Sequence, residues 1–380
     1  MGFRRQEYRQ QLKREHDCAK PPAALGEQPE MPHRDTDLVL RHFHEDPVMA
    51  MELVRQNASR ASSEWYALEL LGHGLSDLAR LQDHEAGSLR KRLCDRESFE
   101  YSVLAQSCLD IAKHAPHLST YMSSKISRAL AMLGYRDEAL FSLIGQQVQE
   151  KQKQLTQAQI ANLLWSLNHL DIDDPKLTKA LLRSALRISR IDELPIESRA
   201  RIAWPLARLA PEKLRTLMSE SMLREEDCDP EVYQLIYQTL VAAGMCSPTE
   251  AGFTGWAGAR ITDGQLGRES ALQASVGGAL RSFLYGTDHE IREEQSIGGV
   301  LVDFVVHLRG SGRLIAIEAD GYHYHFSSGP DGGRRFGRDE LQRKIVEEHG
   351  LEVVHITSQE WSEIPHEDLL ADKLRLSHGK

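Results

Sequence analysis

Three carboxylates interrupt two apolar segments in the last third of the chain: Asp303 within VLVDFVV, and Glu318 and Asp320 within RLIAIEAD. A charge inside such a strand costs several kcal/mol unless a partner or a cation compensates it, so a site explains these residues better than packing does. Alternation puts Glu318 and Asp320 on one face and Ile315 and Ile317 on the other, and pairing the two segments through the turn at Arg309 to Gly312 sets Asp303 beside Glu318. Converging carboxylate oxygens suit a hard dication that keeps waters for a phosphate substrate. Asp303, Glu318 and Asp320 are therefore the expected ligands of Mg²⁺ or Mn²⁺, and the expected chemistry is phosphodiester hydrolysis.

His323 and His325, interleaved with Tyr322 and Tyr324, come directly after and share one side of an extended segment, where they can move a proton or contact phosphate. The neighbouring donors are mostly oxygen and no cysteine is close in sequence, which argues against zinc. Further on stand Arg334, Arg335, Arg338, Arg343 and Lys344, read together as belonging to one helix. Cations beside a carboxylate and metal site suit a phosphodiester, with Arg338 expected to touch the strand and Lys344 to assist the reaction.

The elements that must hold these residues are a helix (ESALQASVGGALRSFL), the strand pair, a Gly-rich loop, a charged helix (RDELQRKIVEEHG) and a last strand (LEVVHIT). That order reads as a small α/β module over 269–376. Before it, 247–268 is Gly-rich and aperiodic and reads as a linker, and 46–246 shows apolar residues returning at three and four residue intervals, the mark of helices. Residues 1–45 are polar and weakly periodic and read as a disordered segment. The expected fold class is α plus α/β.

Within the helical region Leu133 matches Leu170 and Leu140 matches Leu177, each 37 residues apart, with Leu214 a further 37 after Leu177 and Leu209 39 after Leu170. Units of this length, built of two helices, stack into a repeat solenoid because one helix pair cannot bury its apolar face alone. Lys176, Lys179, Arg183, Arg187 and Arg190 form one stripe of a helix whose other stripe is Leu177, Leu181, Ala185 and Ile188. From Lys176 to Arg215 ten Lys or Arg face four Asp or Glu, although the whole chain carries a net charge of −10. A local basic stripe in an acidic protein is the footprint of a groove for a phosphate backbone, and the unpaired bases of single-stranded RNA can be read by helical repeats. Asn162 and Asn168 are the expected base readers.

The run VDFVV, IAIEADG and a following histidine, then GRDELQRKI, HGLEVVHI and QEW, resembles the RAP domain of RNA-processing proteins, over about residues 269 to 364. That family is similar in turn to the PD-(D/E)xK nuclease superfamily, especially its very short patch repair branch. QLTQAQIANLLWSLNHLDI resembles the repeats that precede RAP domains in octotricopeptide-repeat proteins and in the Fas-activated serine/threonine kinase domain family. The resemblance implies a restriction-endonuclease-like module behind an RNA-binding solenoid. It makes Asp303 and Glu318 the two acids of the nuclease signature, places Asp320 where that superfamily commonly keeps its catalytic lysine, and leaves Lys344 as a relocated lysine and Glu269 as an auxiliary acid. The expected function is RNA processing or turnover by a metal-dependent endoribonuclease, with a non-catalytic RNA-stabilising factor and a patch-repair-like DNA endonuclease as the alternatives.

Five scattered cysteines without CxxC spacing suggest a reducing compartment, and no apolar run approaches the length of a membrane helix. A soluble intracellular protein is expected, whether in a bacterial cytoplasm, delivered into a host or within an organelle.

Overall fold

The computed structural model describes residues 47–60, 64–82, 88–188, 196–216, 218, 230–245, 271–321 and 325–376. Among these residues ten α-helices come first: α1 (Pro47–Ser59), α2 (Glu64–Gln82), α3 (Ser88–Cys94), α4 (Phe99–Lys113), α5 (Thr120–Met132), α6 (Glu138–Glu150), α7 (Gln157–His169), α8 (Pro175–Ile188), α9 (Ile196–Leu209) and α10 (Pro230–Ala242). An α/β region comes next, with α11 (Ala271–Phe283), β1 (Glu290–Ile297), β2 (Val300–Leu308), β3 (Arg313–Asp320), α12 (Gly337–Glu348), β4 (Glu352–Thr357), α13 (Ser358–Glu363) and α14 (His366–Leu374). Among the described residues the chain is thus mostly helical, with one four-stranded mixed sheet near its C-terminal end. The expected segments 1–45 and 247–268 lie outside the described residues.

The helices form two rows. Helices α2, α5, α7, α9 and α10 pack each on the next, while α4, α6 and α8 make the second row behind them. Local chemistry sets the repeat. Ser119 and Thr156, 37 residues apart, cap α5 and α7 by accepting from the N–H of Met122 (3.1 Å) and Gln159 (3.3 Å). Gly134 (φ 66°) and Asp171 (φ 54°), again 37 apart, end those helices in the left-handed region. Asp137 and Asp174 then cap α6 and α8, accepting from the N–H of Leu140 (2.8 Å) and Leu177 (2.9 Å). Of the apolar positions of the sequence repeat, Leu133, Leu140, Leu170, Leu177 and Leu214 are fully buried and Leu209 is half-buried. One apolar core runs through the helical region and takes in Phe336 and Leu341 of the α/β region.

The sheet order is β1-β2-β3-β4, with β1, β2 and β3 antiparallel and β4 parallel to β3. Ile315 and Ile317 pack with Phe304, Val306 and Leu308 against α11 and α14, whereas Ala316 and Val305 pack with Ile345 and Val346 of α12 and Tyr237 of α10. Val300 and Val302 join that second cluster, so the alternation of β2 breaks at Asp303. Directly across on β1, Glu294 has φ 48°, a conformation that costs a non-glycine residue roughly 1 kcal/mol or more. Strand β1 is not expected from the sequence: EIREEQSI lies at the sheet edge with half-buried and exposed residues, and its charges mask the period of a strand.

The two regions are tied together at the loop before α12. The N–H of Ser328 donates to the carbonyl of Gly134 (2.7 Å), that of Arg136 to Ser328 (2.8 Å) and that of Glu138 to Asp331 Oδ2 (2.8 Å). A Cβ on Gly329, whose φ is 97°, would stand 2.3 Å from the Arg136 carbonyl oxygen, so only glycine lets the chains approach this closely. Arg136 itself is 1% exposed and donates to the carbonyls of Leu170 (2.6 Å) and Asp171 (2.7 Å), joining two helical units beneath the loop.

Candidate functional site

The β2–β3 ladder ends at Phe304 opposite Ile317, and Asp303 and Glu318 are the next residues beyond that pair. The break in β2 turns the Asp303 carboxylate toward its neighbour, where Oδ2 accepts the backbone N–H of Ala319 at 2.7 Å in place of a ladder carbonyl. Burial raises the Asp303 carboxyl above its ordinary range, and the charges of Asp320 and Glu294 push the same way against the Ala319 N–H and His325. Glu318 is pushed well above the usual glutamate range, first by burial and then by the charges of Asp303, Asp320 and Asp339. Ionising these two neighbouring carboxyl groups is thus costly, and a bound cation would offset that cost.

Asp320 belongs to a different group. It is 1% exposed, its Oδ2 is ion-paired with Arg335, and His355 Nδ1 lies 3.0 Å from the same oxygen. Burial alone would raise its carboxyl, but the His355 hydrogen bond and the charges of His325, His355 and Arg335 outweigh burial and leave it below the ordinary range. Arg335 Nη1 is 2.8 Å from His355 Nδ1, so that nitrogen accepts from Arg335 when it bears no hydrogen and donates to Asp320 when it bears one. Among the described residues Asp320 Oδ1 is buried without a hydrogen-bond partner, with His325 Nε2 3.6 Å away. The other His325 nitrogen, Nδ1, is 3.1 Å from Asp339 Oδ2, and Arg338 Nε is 3.3 Å from Asp339 Oδ1.

The expected metal set of Asp303, Glu318 and Asp320 is therefore divided, since the third carboxylate is committed to Arg335 and His355. Among the described residues no group of three His, Cys, Asp or Glu side chains is arranged to hold a metal ion. The donor chemistry of the remaining pair still fits Mg²⁺, which is bound by one or two carboxylates together with waters and substrate phosphate. Lys344, expected near the acids, lies five residues after Asp339 on α12, about 140° further round the helix, and its electrostatic neighbour is Glu340. His323 lies outside the described residues.

Arg334 and Arg335, read in sequence as part of the charged helix, precede it, because α12 starts at Gly337. Sequence reasoning names Arg335 only as one of the cations suited to a phosphodiester, not as the partner of Asp320, and does not single out Asp339 or His355. The rule that exposes Asp303 would also find His355, a polar residue in the apolar strand EVVHIT that pairs with Glu318. No such signal marks Asp339, an acid in the first turn of an acidic helix.

In the helical region Lys176, Lys179 and Arg183 are exposed on α8 opposite buried Leu177, Leu181 and Ala185, whereas the side chains of Arg187 and Arg190 lie outside the described residues. Arg338 is exposed at the start of α12, over the Phe336 ring at 5.5 Å. Asn168 departs from expectation. It is 1% exposed and accepts from Arg208 Nε at 2.8 Å, so it cannot reach a base, while half-buried Asn162 accepts from Arg128 Nη1 at 2.6 Å. Among the described residues no helix is long and apolar enough to cross a membrane. Comparison with protein-family models and with curated proteins finds no match to this chain.

Proposed function

We propose that the chain binds single-stranded RNA through its helical region, stacked as a repeat solenoid, and hydrolyses a phosphodiester at a restriction-endonuclease-like α/β module. The observation that carries this is the Asp303 and Glu318 pair: adjacent strands, coupled charges, and both carboxyls raised by burial. Mg²⁺ or Mn²⁺ is the cofactor these two oxygen donors suit, and when bound it supplies Lewis-acid polarisation of a phosphate and a nucleophilic hydroxide at neutral pH. His325, held by Asp339 at Nδ1 and facing Asp320 through Nε2, is the side chain placed to take or return a proton. Exposed Arg338 and partly exposed Arg335 supply positive charge for the phosphate.

Incubating the purified chain with end-labelled single-stranded RNA tests this. Cleavage in Mg²⁺ that stops with a chelator is the expected result, and cleavage of duplex DNA alone would transfer the activity to the DNA-endonuclease alternative. The commitment of Asp320 to Arg335 and His355 favours a second reading, an RNA-binding factor without hydrolysis. That reading predicts RNA retained intact in Mg²⁺.

A further inference from the structure

The repeat in the sequence places side chains in register on the exposed side of the first helix row. Steps of 37 and 39 residues, the spacings that relate Leu133, Leu170 and Leu209, also relate Arg128 to Trp165 and Trp204, and Lys125 to Asn162 and Arg201. The apolar equivalents share burial, and the polar and aromatic ones all reach solvent in part. Ile126, Leu163 and Ile202 are buried, as are Leu130, Leu167 and Leu206, whereas Lys125, Asn162 and Trp165 are half-buried, Trp204 likewise, and Arg128 and Arg201 are exposed. Direct contacts cross from one helix to the next: Arg128 Nη1 donates to Asn162 Oδ1 at 2.6 Å, and its guanidinium stands 5.8 Å from the Trp165 ring centroid. Lys125 Nζ is 2.7 Å from His73 Nδ1 of α2, which carries the polar face one helix further. At the third equivalent position, Tyr121, Ala158 and Glu197, one carboxylate is added.

The face has a definite end. One turn after Trp165, His169 stacks on it (centroids 4.8 Å apart) and on Phe336 (4.5 Å), the residue before α12. Arg338 stands at the start of that helix, beside Asp339. The row of α5, α7 and α9 therefore leads to the carboxylate module, whereas the α8 stripe belongs to the second row.

We infer that the α5–α7–α9 face, not the basic stripe of α8, is the seat of a single-stranded nucleic acid, with Trp165 and Trp204 as base-stacking platforms one repeat apart and Lys125, Arg128 and Arg201 as phosphate contacts. The side chains dictate the chemistry of the partner: the exposed parts of the half-buried indoles, Trp165 beside its His169 and Arg128 contacts and Trp204 on the two apolar clusters it packs against, meet an unpaired base, which a duplex hides, and three cations on α5 and α9, either side of α7, match a phosphate backbone. The inference rests on the RNA-binding part of the proposed function and is independent of cleavage.

Binding of the full chain to a fluorescently labelled 20-nucleotide RNA, the DNA strand of the same sequence and the duplex, all in chelator so that hydrolysis is silent, tests it. Trp165→Ala and Trp204→Ala should each weaken binding of the single strands about tenfold, since stacking contributes roughly 1–3 kcal/mol per base. Trp165→Phe and Trp204→Phe should retain most of the affinity and lose part of the tryptophan quenching that the strand causes, a readout that does not depend on the alanine variants folding. Arg128→Ala with Arg201→Ala should lower the salt slope, and Lys176→Ala with Lys179→Ala and Arg183→Ala should leave affinity within twofold. Loss of binding in the α8 triple variant with unchanged affinity in the tryptophan variants overturns the assignment, as does a wild-type chain that binds only duplex or no strand. Binding without hydrolysis in Mg²⁺ leaves the face intact and removes only the cleavage.

Discussion

Asp303, Glu318 and Asp320 look alike in the sequence and differ in the fold because of their partners. Glu318 has a raised carboxyl pKa, so the folded chain holds its proton more tightly than the unfolded chain does. Its contribution to stability is complete below the unfolded glutamate value, about 4.3, and is lost as pH rises through the folded one. Glu318→Gln, neutral throughout, should therefore raise the unfolding midpoint at about pH 7.5 and leave it nearly unchanged at about pH 4, as read by thermal denaturation across pH. The sign reverses at Asp320, whose carboxyl is lowered despite its burial: its stabilisation is present above the unfolded aspartate value and is lost as pH falls through the folded one. Asp320→Asn should cost about 3–5 kcal/mol at neutral pH, the penalty for breaking a buried pair, and the deficit should shrink in acid. Strand patterning made the three acids legible from the sequence. Their division was hidden because Arg335 and His355 arrive from a loop and a strand remote in sequence, and no local pattern announces that contact.

At the level of elements, what could be read and what could not have separate physical causes. Helices α5 to α8 were legible because their apolar residues return at helical intervals and their leucines recur 37 residues apart, and β2, β3 and β4 because their apolar runs are long. Strand β1 was not, since an edge strand made of Glu, Arg and Gln carries no apolar alternation. The loop before α12 was legible only as glycine-rich. Its role comes from tertiary contact, where Gly329 lets the chain lie against Arg136 and so holds Arg335 over Asp320. Gly329→Ala combines a left-handed backbone with a collision against a carbonyl and should destabilise the chain by at least about 2 kcal/mol, seen as a lower urea midpoint. The same variant should lose activity more than RNA affinity, because the loop positions the site and not the helical face.

For the molecule as a whole, an acidic chain with a net charge of −10 is proposed to hold a polyanion, which requires that its cations be gathered and not averaged. RNA affinity should therefore fall steeply with salt, with a slope on log–log axes of about 0.7 per phosphate contacted by the single strand. Four strands in mixed order, with Glu318 on the side covered by α12, put the carboxylates next to the end of the helix row, so the proposed activity needs both regions. The central claim is hydrolysis at the Asp303 and Glu318 pair. Single-turnover cleavage of labelled single-stranded RNA in Mg²⁺, with wild type, Asp303→Asn and Glu318→Gln compared at equal RNA occupancy, tests it most directly. A rate lowered at least about a hundredfold in each variant, with RNA affinity within a few fold of wild type, is the predicted result; cleavage that survives both substitutions, or a wild type that binds RNA and never cuts it, would contradict it.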